Sequence, residues 1–188
     1  MLAVTVLGVL ANISVYTYVV PLLTADTHIT GVKVSLLLLV YGVGAIVGNT
    51  IGGRANDRFG SRRTILIVLA AMNVTQVTLP LTLVTLPGAA IALFLWSLFT
   101  WAYNPPFQDL ILGSAGEHGA LALNASAIYL GTGLASVVGG LVISTAGVGA
   151  LPLTGTVLAL LAATVFITTN RRPTHADTAE PASATLTG

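Results

Sequence analysis

Long apolar runs recur along this chain, and charge, proline and glycine punctuate them at intervals close to the thickness of a membrane. A helix crossing the hydrocarbon core takes about 20 apolar residues. The pattern predicts six such helices, over residues 2–24, 33–54, 64–86, 88–108, 120–144 and 149–169. The links between them are short: Asp26 to Val32, the basic stretch that follows residue 54, the turn Thr85-Leu86-Pro87-Gly88, Asp109 to Gly119, and a glycine-rich turn at 147–149. Short links predict antiparallel neighbours. Residues 1–172 thus form one six-helix unit, and 173–188, rich in Ala, Thr, Ser and Pro without periodicity, read as a disordered cytoplasmic tail.

Composition places this unit in a bilayer. Only 7% of residues are charged and 55% are hydrophobic, whereas soluble domains carry roughly a quarter charged residues. The fold class is therefore all-α integral membrane, with lipid as its surroundings. Four of the seven basic residues, Arg54, Arg58, Arg62 and Arg63, fall in one short loop. With a cytoplasmic N-terminus, these four join Arg171 and Arg172 inside and leave only Lys33 outside, which predicts a multi-pass protein of the cytoplasmic membrane with both termini cytoplasmic. The basic residues share no face, so nucleic acid is not a partner. The chain has no cysteine, and neither a metal site nor a cofactor is expected. No basic residue precedes the first apolar run, so no cleaved signal peptide is expected.

Small residues mark where the helices should touch. Gly44, Gly48 and Gly52 are four apart and form one smooth strip on a helix; Gly131, Ala135 and Gly139, and Gly155, Ala159 and Ala163, form similar strips. Asn49, among the glycines of the second span, is expected to serve helix packing, and Asn73 and Gln76, three apart on one face of the third, to hydrogen-bond a neighbouring helix. Ionisable residues are missing from membrane depth, apart from Lys33 and Arg54 at span ends. His28, His118 and His175 all fall outside the spans and no two carboxylates converge, so an intramembrane enzyme is not expected. A channel has no ring-forming carboxylate to support it.

The loop Gly53-Arg54-Ala55-Asn56-Asp57-Arg58-Phe59-Gly60-Ser61-Arg62-Arg63 resembles the signature G-x-x-x-D-R-x-G-R-R of the major facilitator superfamily. Ser61 is a departure, standing where arginine is commoner. The segments Tyr16 to Leu23 and Leu123 to Gly131, with Gly139-Gly140, resemble the C-terminal half of bacterial drug and sugar efflux members. The resemblance covers nearly everything up to Arg172. It implies one six-helix half of a transporter, itself an inverted pair of three-helix repeats. It also implies transport of a small molecule by alternating access, efflux by proton antiport, and a second six-helix half on a separate chain or a second copy. The coupling carboxylate would then come from that other half. The alternative is a non-transporting fragment or scaffold.

The same resemblance assigns the loop residues Gly53, Asp57, Arg58, Gly60, Arg62 and Arg63 to a cytoplasmic gate, with Asp57 as a latch between halves. A basic loop could equally be a topology signal alone. In the superfamily the first and fourth helices of each half line the central cavity, which points to Asn12 and Tyr16, and to Trp96, Thr100 and Tyr103. Tyr and Trp also anchor helices at membrane interfaces, and a buried Asn often bonds a neighbouring helix.

Overall fold

A computed structural model describes residues 2–27, 30–113 and 117–169. Among these residues there are eight α-helices and no strand: α1 (Leu2–Tyr16), α2 (Val19–Thr27), α3 (Val32–Phe59), α4 (Ser61–Thr82), α5 (Leu86–Ala102), α6 (Asn104–Leu112), α7 (Glu117–Ala146) and α8 (Leu151–Thr169). α3, α4, α5 with α6, α7, and α8 with the turn before it are each long and apolar enough to cross a membrane. The tail 173–188, Arg171, Arg172, His28 and His175 lie outside the described residues, and nothing is described of the His118 side chain.

Two of the expected spans are broken, and proline is the cause in both. The first divides at Thr17–Tyr18. Pro21 has no N–H for the Thr17 carbonyl and its ring would press on that oxygen, a conflict relieved by placing it in the first turn of a new helix. The fourth divides at Tyr103, because Pro105 and Pro106 occupy the first turn of α6. α6 then runs on to Leu112, so Asp109, expected in a loop, is helical. Pro80 lies inside α4, which continues to Thr82.

Glycine makes two of the sharp turns between helices. Gly60 joins α3 to α4 at φ +79° and Gly147 follows α7 at φ +83°, a region that costs other residues steric strain. Thr85 caps α5 by accepting the Gly88 N–H at 3.2 Å.

The glycine strips bring helix backbones together. Gly44, Gly48 and Gly52 on α3 lie against the carbonyls of Phe94, Leu98 and Ala102 on α5, in the same four-residue step. A Cβ at Gly44 would stand 2.7 Å from the Phe94 oxygen, and at Gly48 and Gly52 it would overlap α5 backbone atoms outright. On α7, Gly131 faces Val6 and Val9 of α1, and Gly139 lies under the Tyr18 ring. Gly155 of α8 faces Ala11 and Val15 of α1 and the side chain of Gln76.

Polar residues fasten this frame less uniformly than expected. Gln76, fully buried, donates from Nε2 to the Ala11 carbonyl at 3.3 Å and so ties α4 to α1. Asn73 instead donates to Leu69 of its own helix at 2.8 Å. Asn49 is exposed beside the glycine strip, in a groove it shares with Trp101, Asn104 and Gln108. Ser97 donates to the Tyr41 carbonyl at 2.5 Å and adds a bond to the α3–α5 seam.

Candidate functional site

Residues of α1, α3, α4, α5, α6 and α7 line an open cavity of about 350 Å³. Asn12 and Tyr16 reach it from α1, Tyr41 from α3, Leu69 and Met72 from α4, and Asn124 and Ile128 from α7. The broken fourth span supplies Thr100, Trp101, Tyr103 and Phe107. Among the described residues, no Asp, Glu, Lys, Arg or His lines it.

Hydrogen bonding across the wall pairs residues far apart in sequence. Asn12 Nδ2 donates to Thr100 Oγ1 at 2.7 Å, joining the first and fourth apolar segments. Thr5 Oγ1 donates to Asn124 Oδ1 at 2.7 Å, joining α1 to α7. Each bond satisfies a group that would otherwise be costly in an apolar setting.

Aromatic rings share the remaining surface with the aliphatic side chains of Val9, Ile13, Leu69, Met72 and Ile128. Tyr16 and Tyr41 have ring centroids 4.7 Å apart, and Trp96 meets Tyr41 edge-on at 5.5 Å. Tyr103 and Phe107 stack at 4.7 Å with an interplanar angle of 25°. Such a wall suits flat or apolar compounds, which gain both area burial and ring contacts.

The sequence places Trp96 on the cavity and Trp101 off it, and the structure reverses them. Trp96 is 0% exposed and sits behind Tyr41, while Trp101 is 42% exposed and lines the opening. On α5 the cavity faces Thr100 and Trp101; Trp96, one turn before Thr100, is rotated about 40° to the side away from Trp101 and packs against Tyr41. The structure brings Asn12, Tyr16, Thr100 and Tyr103 together. Tyr41, Trp101, Phe107 and Asn124 complete the wall without having been singled out for it.

At the α3–α4 end, Arg54, Asp57, Arg58, Arg62 and Arg63 are all exposed. Asp57 makes no hydrogen bond or ion pair among the described residues, and Arg58 lies 5.4 Å over the Phe59 ring. A Cβ at Gly53 would meet nothing within 4 Å. The carboxylate that does engage the loop is Asp109 of α6. Ser61 Oγ and Asn56 Nδ2 both donate to its Oδ2, the latter at 3.3 Å. Sequence reasoning missed this contact, although Ser61 at an arginine position and an acidic residue at the same end of the bundle were both available as signals.

The comparisons agree with this architecture. Residues 2–187 match the Major Facilitator Superfamily. The chain is 35% identical over 178 residues to the inner membrane transport protein YdhP of Escherichia coli K12, covering 92% of this chain and 45% of the relative. It is 27% identical over 149 residues to the uncharacterized MFS-type transporter YbcL of Bacillus subtilis, covering 78% and 38%. The chain therefore spans less than half the length of these curated relatives. An all-α, multi-pass membrane chain with this match and this degree of identity belongs to the Major Facilitator Superfamily.

Proposed function

We propose that this chain is one six-helix wall of a small-molecule efflux transporter that works by alternating access, driven by proton antiport, with both termini on the cytoplasmic side. The observation that carries this reading is the open, aromatic, uncharged cavity bridged by the Asn12–Thr100 bond. It is lined from one side by side chains of several helices, as a compound held between two halves requires. The likeness of the chain to less than half of YdhP supports a second half as the opposite wall. Since the lining residues include no carboxylate or histidine, the proton-binding group belongs to that second half. The loop with Asp57, exposed and free of partners among the described residues, is available to bond across to it as a latch.

The test is co-expression with the N-terminal half of the Escherichia coli relative in cells lacking their main efflux pumps, with Nile red as a neutral fluorescent cargo. Extrusion that needs both halves and stops when the proton gradient is collapsed is the expected result. Extrusion indifferent to the gradient would overturn antiport, and no complex between the halves would overturn the shared cavity.

A further inference from the structure

Among the described residues, one polar group on the cavity wall is buried with no hydrogen-bond partner. Asn12 is bonded to Thr100, Thr5 to Asn124, and Thr132 donates to the Ile128 carbonyl of its own helix at 2.9 Å. The Tyr103 hydroxyl, in contrast, is shielded from solvent and has no hydrogen-bond partner, although its ring lies on the wall. A buried hydroxyl left unpaired is destabilising, and such groups are rare in native structures. Its ring is stacked on Phe107, and its backbone is the turn between α5 and α6, outside regular helix.

We infer that the Tyr103 hydroxyl is a specificity-determining donor, kept for a hydrogen-bond acceptor on an uncharged, planar cargo that stacks against the Tyr103–Phe107 pair. The inference rests on the cavity being the cargo-facing wall. Hydroxyl and indole groups open to water exchange one hydrogen bond for another when cargo enters. Tyr103 exchanges none, so for this residue the bond formed is a net gain. Bonding to cargo requires a tilt of the ring at the α5–α6 turn that brings the oxygen to the cavity surface. Cargo without an acceptor leaves the hydroxyl unpaired and is discriminated against for the same reason. The absence of charge from the wall leaves a cationic or anionic cargo without a counter-ion on this side.

The experiment compares a matched pair of tricyclic compounds, 9-fluorenone with its carbonyl acceptor and fluorene without one. Equilibrium binding of the tritium-labelled compounds is measured on the full chain in lipid nanodiscs, for the wild type and for Tyr103→Phe. Because both proteins see the same lipid, partitioning into the bilayer cancels in the comparison. The wild type should favour fluorenone over fluorene by about tenfold more than Tyr103→Phe does. The empty variant should melt at or above the wild-type temperature, since it loses an unpaired group. A melting temperature several degrees lower would mean that the hydroxyl already serves the fold, and would overturn the inference. An unchanged preference, with both compounds bound, would also overturn it while leaving the cavity reading intact. No binding of either compound to the wild type would overturn both.

Discussion

Ser61 donates its hydroxyl hydrogen to the carboxylate of Asp109, and this bond closes the α3–α4 reversal onto α6, 48 residues away in sequence. Asn56 adds a second donor to the same oxygen. The loop is therefore held from one side by α6 of the same chain, and Asp57 makes no bond among the described residues. Asp109→Ala removes both bonds and should lower the melting temperature more than Ser61→Ala, which leaves the Asn56 bond in place. In a double-mutant cycle the Ser61→Ala change should cost nothing further once Asp109 is alanine. Full additivity, measured by thermal unfolding in nanodiscs, would show that the two residues do not interact.

The α3–α5 seam makes a sharper prediction, because the chain contains its own control. Gly48→Ala places a methyl on the α5 backbone at Leu98, with 2.8 Å to its Cα, and neither backbone can yield without parting the helices. A loss of at least about 1–3 kcal/mol is expected, as for overpacked cores. Gly42 lies on the same helix with nothing within 4 Å of an added Cβ. Gly42→Ala should be neutral or stabilising by up to about 1 kcal/mol through higher helix propensity. Equal effects of the two substitutions would contradict the packing.

The two tryptophans should separate stability from cargo handling. Trp96→Ala empties a fully buried site and should cost about 3–5 kcal/mol. Trp101→Ala, at the cavity opening, should leave the unfolding temperature nearly unchanged and weaken retention of a planar cargo severalfold. Thermal unfolding and Nile red binding, measured on the same preparations, read the two effects apart.

For the latch, Asp57→Asn in the assembled transporter should lower extrusion by about tenfold, roughly the loss of one charge-assisted bond. Insertion, unfolding temperature and cargo binding should be unaffected, since Asp57 has no bond among the described residues. Unchanged extrusion would remove the residue from the gate.

Much of this architecture was legible in the chain because a membrane imposes simple rules on it. Apolar length sets the spans, and the small-residue spacing at Gly44, Gly48 and Gly52 marks a surface on which another backbone can rest. The signature loop around Asp57 carries the family. The helix breaks were partly concealed, because Pro21, Pro105 and Pro106 lie within runs whose hydropathy is uninterrupted. A proline states that a helix is disturbed near it, but whether the chain bends, restarts or ends depends on what packs there.

What the sequence by itself determined is therefore the class, the packing strips and the family, all of which depend on residue type and local spacing. Only the tertiary structure decided which side chains meet: Asn12 with Thr100, Ser61 with Asp109, Tyr18 over Gly139, Trp101 in the cavity and Trp96 behind it. Spacing fixes where a side chain points around its own helix. How one helix is rotated and raised against its neighbours is set by the closest approach of their backbones, a property of the whole bundle.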